Sequence, residues 1–122
     1  MDKDIEEVAF SIKRSRTITD IDLSNNSISQ ASLEIILKSL ADKILYINLK
    51  NNNIGTEGVK LLAYSIPYIE ILNISGNNID ADGGKYIGIM IEKCLVLKCL
   101  SIGNNNIKNA GIGFVLVSCY KH

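Results

Sequence analysis

An eleven-residue pattern that occurs four times constrains the fold of this 122-residue chain more than any other feature. It has the form L-x-x-L-x-L-x-x-N-x-I, in which leucine and isoleucine are interchangeable, and its copies begin at Ile18, Ile44, Ile69 and Leu97. The asparagines at position 9 are Asn26, Asn52, Asn77 and Asn105, at successive intervals of 26, 25 and 28 residues. Such regular self-similarity predicts an array in which each unit packs against its neighbours.

Each copy of the pattern predicts a short strand followed by a sharp turn. Apolar residues at positions 4 and 6 alternate with mostly polar ones at positions 5 and 7, which is typical of a strand with one buried face. The asparagine at position 9 falls where the chain turns, and its amide can pair with backbone groups that the turn would otherwise bury unsatisfied. We therefore expect the four asparagines to stack as a structural ladder and not to form a binding site.

A helix is predicted after each turn, opening near Ser32, Gly58, Gly83 and Gly111. Counted from these openers, apolar or small residues recur at +1, +4, +5 and +8, which lie on one face of a helix. The residues predicted to face the core are Leu33, Ile36, Leu37 and Leu40; Val59, Leu62, Ala63 and Ile66; Gly84, Ile87, Gly88 and Ile91; and Ile112, Val115, Leu116 and Cys119. The glycines at the openers lack the further residues of a phosphate-binding loop, so they indicate close-packed helix starts.

The N-terminal segment has the helix spacing without a strand. With Asp4 as the opener, the same offsets select Ile5, Val8, Ala9 and Ile12. An acidic start and a basic end suit the dipole of a helix over residues 2–16. We therefore predict a single domain over residues 1–122, with a cap helix in residues 1–17 and repeats that start near residues 18, 44, 69 and 97.

On these motifs the chain resembles the leucine-rich repeat family, and its unit length is similar to that of the helix-bearing, ribonuclease-inhibitor-like subfamily. The resemblance implies an α/β fold: a right-handed solenoid of about four strand–turn–helix repeats, with parallel strands inside and five helices outside, counting the N-terminal cap helix. The chain departs from ribonuclease inhibitor in one respect, because that protein alternates asparagine with cysteine at the turn and all four turns here carry asparagine.

The resemblance also implies a function, a non-catalytic module that binds a protein partner. Related proteins include Ran GTPase-activating proteins, immune receptors and bacterial effectors, so a fold of this kind does not fix the partner. Two alternatives stay open: a GTPase regulator of the Ran-activating type, and a self-associating scaffold fragment of a larger repeat protein.

Composition excludes several other classes of function. Thirteen basic and thirteen acidic residues give a formal net charge of zero, which argues against binding to nucleic acid or to an anionic membrane through bulk charge. The only histidine is His122, and the three cysteines have no metal-ligand spacing, so we predict no catalytic residue, no metal site and no cofactor. Free thiols and an acidic N-terminus predict a cytoplasmic protein, or one delivered into a host cell without a recognisable signal peptide.

Two surfaces are candidates for partner binding. The concave face of the sheet is predicted to present Leu45, Tyr46, Asn48, Ile71, Asn73 and Cys99. Its apolar centre is either a binding hot spot around Tyr46 or an ordinary scatter of exposed apolar groups. The convex face is predicted to present a stripe at helix positions +3 and +6, made of Leu61, Tyr64, Tyr86, Ile89, Phe114 and Val117. This convex stripe either binds a partner or a second copy, or is half hidden by a rotation of the helices.

The C-terminal end gives a further alternative. The chain stops shortly after the last predicted helix, which leaves no segment to cover the flank of the final repeat or the edge of its strand. A homodimer formed through this uncapped end, or through the convex stripe, is therefore a second kind of partnership that the sequence predicts.

Overall fold

Helices and strands alternate strictly in the computed structural model, which describes residues 2–40, 44–66, 68–108 and 111–112. The elements are α1 (Asp2–Arg14), β1 (Asp20–Asp22), α2 (Gln30–Ser39), β2 (Tyr46–Asn48), α3 (Gly55–Ser65), β3 (Ile71–Asn73), α4 (Ala81–Lys93) and β4 (Cys99–Ser101). Most of the predicted fifth helix lies outside the described residues. No helix in the described ranges has the length and apolar character needed to cross a bilayer.

The strands form one parallel sheet in chain order, β1-β2-β3-β4. The register joins equal positions of the repeated pattern, so that Ile47 at position 4 is paired with Ile21 on one side and with Leu72 on the other. Consecutive units therefore stack without any shift, and the helices lie side by side on one face of the sheet. The predicted α/β solenoid of strand–turn–helix units is confirmed.

The core runs through the middle of the stack, between the sheet and the helices. Strand residues at positions 4 and 6 supply one side of it, and the predicted face of each helix supplies the other. Among the predicted core residues of α1 to α4, Val8, Leu37 and Leu40 are half-buried and the rest are buried. The prediction was wrong for Ile112, which is 39% exposed. Its equivalents Leu33 and Val59 have a described unit on both sides, whereas Ile112 has one on one side only. Val115, Leu116 and Cys119 lie outside the described residues.

A left-handed backbone residue precedes the asparagine of every turn. Asn25, Asn51, Gly76 and Asn104 all have φ between 53° and 65°. Asparagine and glycine tolerate this conformation better than other residues. In three turns, therefore, two consecutive asparagines meet two different requirements. The first adopts the left-handed conformation, and the second is the ladder asparagine.

The helices begin two or three residues before the predicted openers, because the capping residue lies further upstream. The side chains of Ser29 and Asp80 accept hydrogen bonds from the backbone N–H groups of Ser32 and Gly83, which were the predicted openers of α2 and α4. No side chain caps α3, and its first residue, Gly55, is left-handed at φ 64°. Asp80 also accepts a 2.6 Å hydrogen bond from the Thr56 hydroxyl, which connects the starts of α3 and α4.

Candidate functional site

The asparagine ladder joins consecutive turns through buried hydrogen bonds. The Asn52 amide nitrogen donates to the carbonyls of Leu23 and Leu49, each at 2.9 Å. Its amide oxygen accepts from the backbone N–H groups of Asn26 and Ile28, again at 2.9 Å. One side chain therefore pairs with four backbone groups at 2.9 Å, three of which belong to the preceding unit.

The same arrangement continues along the stack and ends at its first turn. Asn105 accepts from the backbone N–H groups of Asn77 and Ile79 and donates to the carbonyl of Ile74. Asn77 is fully buried and donates to Leu49 of the preceding unit. Asn26 belongs to the first described unit; it is exposed and donates to Ser24 within its own turn. The ladder asparagine without a preceding described unit is thus the exposed one, and Asn105, in the last described unit, is half-buried.

The predicted concave residues occupy neighbouring strands. Tyr46, Ile71 and Cys99 are successive register partners at position 3. Leu45 and Ile71 are 38% and 41% exposed, and Tyr46 is half-buried. We call Leu45, Tyr46 and Ile71 the concave patch, and we note that it spans two units. Cys99, which the sequence also placed among the concave residues, is exposed on the next strand, β4.

Asn48 and Asn73 have a local role that was not predicted from the sequence. Their side-chain oxygens each accept a 3.0 Å hydrogen bond from the backbone N–H two residues ahead, at Lys50 and Ser75. Asp22 occupies the same position in the first unit and accepts from the Ser24 hydroxyl at 2.7 Å and from its N–H at 3.0 Å, and these bonds lower the pKa of its carboxyl. The signal in the sequence was the Asp or Asn at position 5 of three units, which favours a side-chain turn.

The loops that lead into β3 and β4 carry exposed apolar residues that were not predicted from the sequence as part of a surface. Tyr68, Leu95 and Val96 are all exposed, Leu95 by as much as 77%. Tyr68 lies three residues before Ile71, and Val96 lies three residues before Cys99. Because Ile71 and Cys99 are register partners, the parallel stacking places Tyr68 and Val96 in neighbouring loops. We call these three residues the rim cluster; it borders the end of the sheet at which the strands begin. The signal in the sequence for this cluster was an apolar residue directly before position 1 of the third and fourth units.

An ion pair lies beside the concave patch. Lys98 Nζ is 2.9 Å from Glu70 Oε1, and both side chains retain contact with solvent. Glu70 and Leu45 hold the same position in adjacent units, so the charged pair forms a polar border to the patch. An apolar centre with a polar border is the usual anatomy of a protein-binding surface.

Three of the four described members of the convex stripe are half-buried. Tyr86 and Ile89 are half-buried and pack against the core, and Leu61 is also half-buried. Tyr64 is 57% exposed, with Lys93 Nζ 5.3 Å from the centre of its ring. Phe114 and Val117 lie outside the described residues. Among the described members of the stripe, Tyr64 alone is exposed.

The described cysteines and carboxylates do not assemble into a reactive cluster. Cys94 is buried after α4, where its Sγ donates to the Ile69 carbonyl at 3.2 Å and burial raises the pKa of the thiol. Cys99 is exposed on the concave face. Within the described part of the chain, no three His, Cys, Asp or Glu side chains are close enough together to hold a metal ion.

Comparisons with known proteins identify the family. A family model described as "Leucine Rich repeat" matches residues 43–63, 65–88 and 93–114, which together are more than half of the chain. The solved C-terminal domain of tropomodulin from Caenorhabditis elegans is similar in fold, with a TM-score of 0.70 and 15% sequence identity over 94% of this chain and 75% of that chain. No curated protein gave a match. With its parallel stack and buried asparagines, the chain belongs to the leucine-rich repeat family.

Proposed function

We propose that this chain binds a protein partner through the concave patch and catalyses no reaction. The observation that carries the proposal is the pair of adjacent exposed aliphatic side chains, Leu45 and Ile71, beside Tyr46 on a sheet face that is otherwise polar. A tyrosine is a common hot-spot residue, and an apolar centre with a polar border is typical of protein interfaces. Leucine-rich repeats are typically protein-interaction modules, which supports the same function.

The proposed interface extends from the concave patch towards the rim cluster. The Glu70–Lys98 ion pair lies between these two apolar groups and is exposed enough to be rearranged by a partner. Exposed ion pairs contribute little to stability, so their rearrangement costs little. A partner that covers both groups would place Tyr46 and Ile71 near the centre of the interface and the loops at its border.

The test compares substitutions on the two faces. Tyr46→Ala and Ile71→Ser alter the concave patch, and Tyr64→Ala is the matched control on the convex face. We expect the two concave variants to lose a partner that wild type and Tyr64→Ala recover in a pull-down, with the direct interaction then measured on the purified proteins. Circular dichroism would verify that all variants are folded. Equal recovery by all of them would refute binding through the concave patch.

Self-association is the second candidate, and the exposure of Tyr64 favours it. An aromatic side chain that projects from the convex helices is a suitable anchor for a second copy. The other predicted dimer surface, at the C-terminal end, includes residues outside those described. Sedimentation of wild type against Tyr64→Ser would test the convex dimer, because a monomer for both proteins at all concentrations excludes it.

Two further proposals rest on the sequence and its family resemblance. GTPase regulation of the Ran-activating type is an alternative function, and a faster rate of GTP hydrolysis in the presence of the chain would be its test. A cytoplasmic location, or delivery into a host cell, is proposed from the three cysteines of the sequence, an odd number without a disulfide spacing. Fractionation of cells that express the chain would test the location.

A further inference from the structure

The first strand of the sheet presents an unused pairing edge. In later units, the backbone N–H at position 3 donates to the preceding unit, as Tyr46 does to Thr19 at 3.2 Å and Ile71 to Leu45 at 3.1 Å. The corresponding group of the first unit is the N–H of Asp20. Since β1 is the outermost strand of the sheet among the described residues, this N–H points away from β2 into the space that a preceding strand would fill.

Two acceptors are aligned along the same edge. The position-5 carbonyls of Asn48 and Asn73 accept N–H groups from the preceding unit at 2.8 Å, and the Asp22 carbonyl is their equivalent in the first unit. The amide oxygen of Asn52 accepts two backbone N–H groups of the preceding unit, and that of Asn26 is its equivalent. The donor at residue 20 and the acceptors at residues 22 and 26 thus reproduce the spacing that pairs neighbouring units in parallel.

A groove lies along this edge, between α1 and β1. Its apolar lining comes from Val8 and Ile12 of α1 and from Ile18 and Ile21 at the strand. Ile12 and Ile21 are buried, whereas Val8 and Ile18 are half-buried and remain accessible from the groove. Among the described residues, no strand of its own lies beneath α1, so the groove has the place and the apolar floor that a strand of the α1 unit would use.

The charge of the groove is uniformly negative. Asp4 and Glu7 line it from α1, and Asp20 and Asp22 line it from β1; all four carboxylates are exposed. No lysine or arginine is among the described residues that line it. This charge repels nucleic acid and acidic peptides and attracts a basic segment.

We propose that this groove binds an extended segment of a partner protein in which basic residues alternate with apolar ones, added as a strand parallel to β1. The apolar side chains of the segment pack on Val8 and Ile18, and its basic side chains face Asp20 and Asp22. Its backbone accepts from the N–H of Asp20 and donates to the carbonyl of Asp22. The proposal concerns a surface separate from the concave patch, so either can fail without the other.

The test uses the full chain and a short blocked peptide of alternating lysine and isoleucine, with binding measured by fluorescence anisotropy of a labelled copy. We expect saturable binding that weakens as the salt concentration is raised, and no binding by a peptide of alternating glutamate and isoleucine. A lysine–isoleucine peptide methylated on the backbone nitrogens that pair with the strand should also fail to bind, because it cannot donate to the edge. Equal binding by the methylated peptide would overturn the proposed strand pairing.

Matched variants place the site on the molecule. Asp20→Asn combined with Asp22→Asn removes two charges from the groove and preserves the turn, since asparagine makes the same turn at residues 48 and 73. We expect this variant to bind the peptide about threefold to tenfold more weakly than wild type. The control, Glu34→Gln combined with Glu57→Gln, removes two exposed charges from α2 and α3 and should bind as wild type does.

A structural readout separates strand addition from adhesion through charge. Binding of the peptide should slow hydrogen exchange at the amide of Asp20 and leave the exchange rates of the amides in the concave patch unchanged. No added protection at Asp20 would overturn the proposal, as would a peptide affinity that is the same in wild type and in the doubly substituted groove variant. A chain that is already dimeric through β1 and excludes the peptide would show that a second copy occupies the edge, which also contradicts the proposal.

Discussion

Asparagine has two separate roles in the turns of this chain, and they fall on neighbouring residues. In three of the four turns the first residue of an asparagine pair adopts a left-handed conformation, as Asn25 and Asn51 do, and the second is the ladder residue. In the third turn Gly76 is the left-handed residue before Asn77. The ladder residue matters energetically because its partners are backbone groups that water cannot reach. The left-handed residue matters because most other side chains would be strained there.

The strongest prediction at the residue scale concerns Asn77. Its side chain donates to the carbonyls of Leu49 and Ser75 at 2.9 and 3.0 Å and is fully buried. Asn77→Ala removes these two hydrogen bonds and the one that the Asn77 amide oxygen accepts from the Ile54 N–H. At about 0.5 to 1.5 kcal/mol for each bond, we expect a loss of about 1.5 to 4.5 kcal/mol in the free energy of unfolding. Urea denaturation followed by circular dichroism would measure it.

Asn26→Ala is the matched control for this prediction. The Asn26 side chain is exposed, and its hydrogen bond is to its own turn, so we expect a loss below about 1 kcal/mol. Similar losses for the two variants would show that the ladder does not act through burial.

At the scale of elements, the start of α4 contacts neighbouring segments through the charged side chain of Asp80 and through a close backbone contact at Gly84. Asp80 caps the helix and joins it to α3 through Thr56. Gly84, one residue after Gly83, touches the backbone of the next segment: a Cβ placed on Gly84 would overlap Gly111. The start of α4 therefore depends on the ionised carboxylate of Asp80 and on the absence of a side chain at Gly84.

The cap predicts a pH dependence of stability. Hydrogen bonds from the Thr56 hydroxyl and then from the Gly83 N–H lower the pKa of Asp80 below its ordinary value of 3.8. A carboxyl whose pKa is lower in the folded state contributes stability that is present above its unfolded pKa and is lost as the pH falls through the folded pKa. We therefore expect Thr56→Val to make the free energy of unfolding less sensitive to acid below about pH 4.

Urea titrations of wild type and Thr56→Val at a series of pH values would measure this change. Asp82→Asn is the control, because it removes a carboxylate from the same helix turn without touching the Thr56 hydrogen bond. If Thr56→Val and wild type lose stability in parallel as the pH falls, the explanation by the cap is wrong.

The close contact predicts the effect of a single methyl group. Gly84→Ala forces α4 away from the Gly111 backbone, and overpacking of this kind typically costs about 1 to 3 kcal/mol. Gly103→Ala is the control, since a Cβ there has no atom within 4 Å, and its effect should stay within about 0.5 kcal/mol. Thermal unfolding of both variants would provide the comparison, and equal midpoints would contradict the contact.

At the scale of the whole molecule, the surfaces of interest are all shared between units. The concave patch belongs to the second and third units, the rim cluster to the third and fourth, and the groove to α1 and the first unit. Because each unit contacts its neighbours and no others, stability should also follow position in the stack.

Hydrogen exchange should show this dependence on position. The strands β2 and β3 are paired on both sides, whereas β1 is paired on one side. We expect the backbone amides of Ile47 and Leu72 to exchange more slowly than the paired amide of Ile21, because the first unit can open without disturbing the others. Equal protection of all three amides would indicate that the stack opens as a single cooperative unit.

Much of the fold was predictable because it depends on short-range periodicity. A period of two in the strands and of 3.6 in the helices determines which side chains face the core, and both patterns are visible within a single unit. The ladder asparagines were visible for a related reason, since every turn meets the same backbone requirement. The helix starts were two or three residues off because capping depends on hydrogen-bond geometry in each turn.

The surfaces were less predictable because they depend on how the units stack. The sequence by itself determined the repeating unit, its buried positions and its structural asparagines, since these follow from local chemistry repeated four times. Only the tertiary structure decided that Tyr86 and Ile89 are half-buried while Tyr64 is exposed, because the rotation of each helix is set by its neighbours. It also decided that Tyr68 and Val96 lie in adjacent loops and that an acidic groove runs along β1. A side chain's exposure depends on the units on both sides of it, and a pattern within one unit does not contain that information.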